Sequence, residues 1–202
     1  MVRSRPVSRR GFLQTAAAAA GVAWAAPTLV PASALGRQGK ASPSERVAVG
    51  MIGVGRQAYQ VNLTQFLKMP EVHIVALCDV DSWRLENAKK KIGESYAHGK
   101  PSGTYHGCQT YVDFHELLAR RDIDAVMIST PDHWHAPMAL AAFEAGKDVS
   151  LEKPITRTIA EGRRIAEAAK RLGRVFRVDS ELRSKPSVHQ AAELVHNGRI
   201  GQ

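Results

Sequence analysis

Three short stretches of this chain hold residue types that do chemistry. The first is GVGRQA, residues 53–58, a G-x-G-x-x-A pattern at the end of an apolar run. Gly53 permits a tight turn, Gly55 lets the backbone approach a pyrophosphate, and Ala58 lets the following helix pack close to its strand. Val54, Arg56 and Gln57 complete the loop. The amides at the start of the helix, aided by its dipole, face the phosphate charge. Glycine turns after strands are common, so the context of the pattern decides. Asp79 supplies that context, 21 residues beyond Ala58 at the end of a β-branched run. A carboxylate there accepts both adenosine ribose hydroxyls and repels a 2′-phosphate, which favours NAD over NADP. Arg84 could pair with such a phosphate and soften the preference. Asp79 could also cap a helix beginning at Ser82.

The second stretch is STPDHWH, residues 129–135, at the end of another apolar run. Strand carboxyl ends face the ligand crevice in open α/β sheets, so Thr130 and Pro131 are expected near the cofactor. His133 and His135 sit two apart without acidic or cysteine partners, and no metal site is expected. Trp134 reads as packing. The third stretch, SLEKPIT (residues 150–156), sets Glu152 and Lys153 against Pro154 at the end of a core strand. Pro154 disfavours α conformation at Lys153 and fixes where its ammonium points. Glu152 is either a functional neighbour or the ion-pair partner of Lys153.

These stretches need strands and helices to place them. Apolar runs at RVAVGMIG, EVHIVALCD, DIDAVMIST, KDVSLEK and RVFRVDS read as strands. Between them lie helix-period segments. Tyr59, Leu63, Phe66 and Leu67 share one face, a helix over 82–92 turns Leu85, Ala88 and Ile92 inward, and another runs near 135–144. Thr158 and Glu161 form a capping box for a helix reaching Leu172, stopped by Gly173. Strands alternating with helices predict an α/β fold, a doubly wound parallel sheet of Rossmann type. It spans residues 46–180. Residues 181–202 offer only one helix, over 186–196, the first helix of a second α/β domain.

The formal charge of +9 suggests nucleic acid until it is located. Arg3, Arg5, Arg9 and Arg10 supply four charges before the first acid, Glu45. The rest of the excess lies on helix faces without interleaved aromatics, so no nucleic-acid partner is expected. SRRGFLQ, an alanine-rich apolar run and PASA read together as a twin-arginine signal peptide over 1–34, cleaved near Ala34, with a linker over 35–45. The expected partner is the twin-arginine export machinery and the expected location is the periplasm. Cys78 and Cys108 read as buried free thiols. In an exported chain they could also pair, and spacing does not show whether their backbones approach.

GVGRQA, DAVMISTPDHWHAPMALAAFEAGKDVSLEKPI and NGRIG together resemble the Gfo/Idh/MocA family of NAD(P)-dependent sugar and polyol oxidoreductases, over about residues 46–201. The most specific part is the Thr-Pro…His…Gly-Lys…Glu-Lys-Pro succession. The resemblance implies that the Glu-Lys-Pro segment lies beside the nicotinamide, often with a cis Lys–Pro bond. Lys153 would orient substrate and assist proton transfer, with Glu152 as its neighbour, and His135 would lie close to the cofactor. Family members carry a second α/β domain that walls the substrate pocket, so this chain reads as an amino-terminal portion or as one lacking the catalytic half.

The expected activity is that of an exported NAD(P)-dependent oxidoreductase of a sugar, polyol or glycoside, homo-oligomeric when full length. Because free NAD is scarce outside the cytoplasm, a tightly held cofactor cycled within one turnover is expected. Two alternatives stay open: NAD-dependent glycoside cleavage, and a dinucleotide-binding or interaction module without catalysis.

Overall fold

The computed structural model describes residues 45–97 and 107–201. The twin-arginine leader and residues 35–44 lie outside the described residues. Six strands form one sheet: β1 (Val47–Ile52), β2 (Val72–Cys78), β3 (Gln109–Tyr111), β4 (Ala125–Ile128), β5 (Asp148–Glu152) and β6 (Phe176–Asp179). Every pairing is parallel and the order is β3-β2-β1-β4-β5-β6. This is the doubly wound Rossmann order, which reverses direction beside β1 and opens a crevice at the strand carboxyl ends.

The helices cover both faces. The first begins as a π-turn, Ala58–Asn62, and continues as Leu63–Phe66, together α1. Then come α2 (Ser82–Ala97), α3 (Phe114–Leu118), α4 (His135–Glu144), α5 (Ile159–Leu172) and α6 (Pro186–His196). Side chains alternate along each strand, so the sheet splits its apolar residues between two clusters. Ile52, Ala76, Ile128 and Leu151 meet α4 and α5 through Ala139, Phe143 and Ile165. Met51, Ile74, Leu77 and Met127 meet α1 and α2 through Leu63, Leu85 and Ile92. Cys78 lies in the first cluster and Cys108 in the second, and both are free thiols.

The capping box at the start of α5 forms as expected. The Thr158 hydroxyl accepts the Glu161 amide and the Glu161 carboxylate accepts the Thr158 amide, while Gly173 closes the helix at φ +61°. Two features exceed the sequence expectation. Helix α2 runs to Ala97, not to Ile92, because Tyr96 in its last turn accepts the Ile74 amide at 2.9 Å. The edge strand β3 and the short helix α3 are too short to read by period; β3 is held by pairing with β2, while α3 is capped by the Asp113 carboxylate and buries Leu117 and Leu118. Residues 181–201 are exposed almost throughout, with Val188, Leu194 and Val195 of α6 among the large apolar side chains facing outward.

Candidate functional site

The glycine loop is built against the ends of two neighbouring strands. Gly53 sits at φ +83° and its amide donates to the Cys78 carbonyl at 2.8 Å. A Cβ on Gly53 would come within 2.8 Å of the Ser129 carbonyl oxygen, so both the dihedral and the close approach demand glycine. At Gly55 a Cβ would meet only the Arg84 guanidinium, at 3.4 Å. That side of the loop is open for a ligand.

Asp79 turns out to have a structural task as well. Its Oδ2 accepts the Val54 amide at 2.8 Å and its Oδ1 accepts the Asp81 amide at 3.0 Å. Each carboxylate oxygen keeps a second lone pair for a ribose hydroxyl. The cap of α2 is Asp81 instead, which accepts the Trp83 and Arg84 amides. Asp81 also holds the Arg84 side chain at 3.3 Å. Arg84 therefore stands at the edge of the loop with its charge already paired.

Beside the loop lies a cleft of about 500 Å³ at the carboxyl ends of β1, β2 and β4. Gly53, Gly55 and Asp79 form one side. Val80, Val112, Phe114, Trp134 and Met138 give it a mostly apolar wall suited to a flat ring. Trp134 packs edge-on to Phe114 at 6.3 Å, so its packing role and its place in the wall coincide. The sequence reading did not single out Val80, Val112 or Phe114 because a lone apolar side chain after a strand has no motif. Thr130 and Pro131 line the same cleft. A second hollow of about 390 Å³ lies outside the loop, bordered by Arg56, Trp83, Arg84 and Asn87.

His135 and His133 part company. His133 is exposed. His135 is buried, with Nδ1 2.7 Å from the Pro154 carbonyl and Nε2 2.9 Å from the Thr130 carbonyl. Both ring nitrogens are thus occupied by backbone. The residue ties the turn after β4 to the turn after β5, and in this geometry it offers no free ring nitrogen to a ligand.

At the end of β5 the buried Glu152 is a hub. Its Oε1 accepts Gln57 Nε2 at 3.2 Å and Asn62 Nδ2 at 3.1 Å; its Oε2 accepts the Lys153 backbone amide at 3.2 Å. No ion pair joins Glu152 to the Lys153 ammonium, so of the two alternatives left open for Glu152 the ion-pair one is not formed. The reason is that both Glu152 oxygens are engaged by groups from the glycine loop, α1 and the backbone. Lys153 itself is exposed beyond a cis Lys153–Pro154 peptide, with its ammonium free of any recorded partner among the described residues. Asn62 and Asp179 were not expected. Asn62 Nδ2 also donates to Asp179 Oδ2 at 2.8 Å, and Glu152 and Asp179 face each other in register on β5 and β6. Burial, then the Glu152 charge, hold the Asp179 carboxyl above its usual range, with Arg177 acting the other way. The acid ending the RVFRVD run was the one available sequence signal, and Asn62 carried none.

A dinucleotide fits what these residues leave unfilled. The Ser129 and Thr130 hydroxyls are buried without a hydrogen-bond partner, on the segment that meets the glycine loop. Together with the open Gly55 face and the spare lone pairs of Asp79, they form a donor and acceptor set for ribose and pyrophosphate. The Gly53 and Val54 amides are already given to the Cys78 carbonyl and the Asp79 carboxylate, so these two residues would shape the loop while Gly55, Arg56 and Gln57 would hold the phosphates, Asp79 the ribose, and Thr130 and Pro131 the middle of the crevice.

Known proteins share this fold. The Gfo/Idh/MocA family model, described as an oxidoreductase family with an NAD-binding Rossmann fold, matches residues 47–180. A protein of Saccharopolyspora erythraea named "Glycosyl hydrolase family 109 protein" is 34% identical over 99% of this chain and 45% of its own length. One of the same name from Shewanella pealeana is 35% identical over 82% of this chain and 37% of its own. The chain thus spans less than half the length of these curated relatives. Among solved structures, myo-inositol 2-dehydrogenase from Lactobacillus plantarum is 28% identical, with a TM-score of 0.64, over 78% of this chain and 43% of that one. Scyllo-inositol dehydrogenase from Lactobacillus casei, solved with NAD(H) and scyllo-inositol, is 26% identical, with a TM-score of 0.63 and the same coverage.

Proposed function

The chain belongs to the Gfo/Idh/MocA oxidoreductase family and carries its NAD-binding Rossmann domain, and from that premise we propose that it is the cofactor-binding part of an exported enzyme acting by hydride transfer at a carbinol carbon of a sugar, polyol or glycoside. Bound NAD supplies the hydride acceptor or donor. The chain's own part is to hold that cofactor and to manage the accompanying proton. The observation that carries the reading is the double engagement of Glu152, which fixes Gln57 in the phosphate loop with one oxygen and the Lys153 backbone with the other. Cofactor loop and catalytic segment are thereby held in one register. Lys153, exposed and unpaired, is the group that would orient the substrate hydroxyl and take or return its proton. A second α/β domain would begin at residues 181–202 and complete the substrate pocket.

Glycoside cleavage through transient oxidation is the second reading, and the names of the curated relatives favour it. In that case the cofactor is restored within each turnover. An exported protein with no free NAD to exchange suits such a cycle.

The test uses the protein as expressed, with a panel of inositols, sugars and p-nitrophenyl glycosides, following NADH absorbance and nitrophenol release together. Net NADH formation supports oxidation, and nitrophenol release without net NADH supports cleavage. Failure to bind NADH in a fluorescence titration would sink both.

A further inference from the structure

We propose that Asp113 reads the 6-amino edge of the adenine ring, so that the chain selects an adenine dinucleotide over its 6-oxo, hypoxanthine counterpart. The inference rests on the NAD reading above and assigns a residue to the base, which that reading leaves without one.

The sheet order says where the base would go. Asp79, the ribose acid, follows β2, and the Glu152–Lys153 segment ends β5 on the opposite side of β1. A dinucleotide whose nicotinamide lies toward Lys153 therefore turns its adenine outward past Asp79, toward β3. The segment after β3 runs beside the segment after β2. The Asp79 amide donates to the Tyr111 carbonyl at 3.2 Å, and the Cys78 thiol donates to the Val112 carbonyl at 3.5 Å. Val80, Val112, Asp113, Phe114 and Trp134 line the cleft here. Val80 is 86% exposed, Val112 67% and Trp134 44%, so the mouth presents apolar side chains that nothing among the described residues covers. A flat aromatic base would cover them.

Asp113 is the charged residue of this wall with acceptor capacity to spare. Its Oδ1 takes both the His115 amide and the His115 Nδ1, each at 2.8 Å, where it caps α3. Its Oδ2 carries no recorded bond among the described residues. The His115 amide also holds the carboxyl below its usual range, so at neutral pH the group is ionised and only accepts. Arg84, the cation of the cleft, is already paired with Asp81. A carboxylate at the rim of a base site therefore needs a donor from the ligand. The adenine ring offers one, its exocyclic amino group, since its free ring nitrogens are acceptors. Hypoxanthine puts a carbonyl oxygen in that place and moves its donor to N1, so two acceptors would face each other. Like charge keeps a pyrophosphate from the same position.

Nicotinamide fluorescence titrations of the protein as expressed, with NADH and with reduced nicotinamide hypoxanthine dinucleotide, test this. The wild type should bind NADH about three- to tenfold more tightly, the size of one hydrogen bond at a part-exposed rim. Asp113→Asn caps α3 as aspartate does and can turn its amide to donate to a 6-oxo group. In that variant the preference should vanish or reverse. Asp113→Ser, also a capping residue but without the carboxylate, should lose the preference too, and it repeats the test if the amide variant does not fold. Equal affinities in the wild type, or a preference that survives either substitution, overturns the proposal while NADH binding stands. If neither nucleotide binds the wild type, the NAD reading itself falls and this inference with it.

Discussion

The Asp79 carboxylate accepts the Val54 amide at 2.8 Å, so the acid at the end of β2 braces the glycine loop from the neighbouring strand. Ribose recognition and loop bracing meet in one side chain. Asp79→Ala should weaken NADH binding by about 1–3 kcal/mol, since it removes a charged acceptor and strands a backbone donor. Nicotinamide fluorescence titration reads the change. Unaltered affinity would remove Asp79 from the site.

Gly53→Ala should destabilise the fold by about 1–3 kcal/mol, because a left-handed backbone and a 2.8 Å approach to the Ser129 carbonyl coincide there. Urea denaturation followed by circular dichroism measures it. Gly55→Ala is the control. Its Cβ meets little, so stability should hold while cofactor affinity drops.

Lys153→Ala should separate chemistry from structure. The side chain is exposed, so stability should stay within about 0.5 kcal/mol. Turnover in a protein that includes the substrate pocket should fall by roughly 10²- to 10⁴-fold, the range for losing a proton-transfer group. A variant with undiminished turnover would dismiss Lys153 as that group.

His135→Ala should remove a buried ring that lies against the Thr130 and Pro154 carbonyls, leaving at least one of them without its donor, and cost about 1–3 kcal/mol. Because the two turns it joins flank the crevice, NADH affinity should fall in parallel. A loss of affinity with unchanged stability would instead give the ring a direct ligand role.

Stability should also depend on Asp179 in a signed way. Its carboxyl titrates higher in the fold than in the unfolded chain, so its contribution is fully present below the unfolded value near 4 and is lost as pH rises through the folded value. Denaturation midpoints should therefore decline less between pH 4 and 7 in Asp179→Asn than in the wild type. Parallel curves would count against the raised carboxyl.

What could be read in the sequence was whatever depends on short-range rules. The glycine loop, the strand ends at Asp79 and Thr130, and the capping box at Thr158 each carry their cause within a few residues. The Asn62–Glu152–Asp179 network does not. It joins positions 90 and 117 residues apart, and only the parallel register of β5 and β6 brings the acids together. Strand β3 went unread for the same reason, as three residues hold no period and their pairing partner decides their conformation. His135 was placed near the cofactor only by the family resemblance; the Pro154 carbonyl against its Nδ1 lies 19 residues further on, beyond the reach of local sequence rules.

The sheet also keeps two thiols apart. Cys78 lies among the side chains under α4 and α5, Cys108 among those under α1 and α2, and burial pushes each thiol up to about 12. Thiols so protonated and enclosed react slowly. Each face of the molecule therefore carries its own silent reporter, and alkylation of one cysteine ahead of the other would tell which helical layer lifts first when the domain opens.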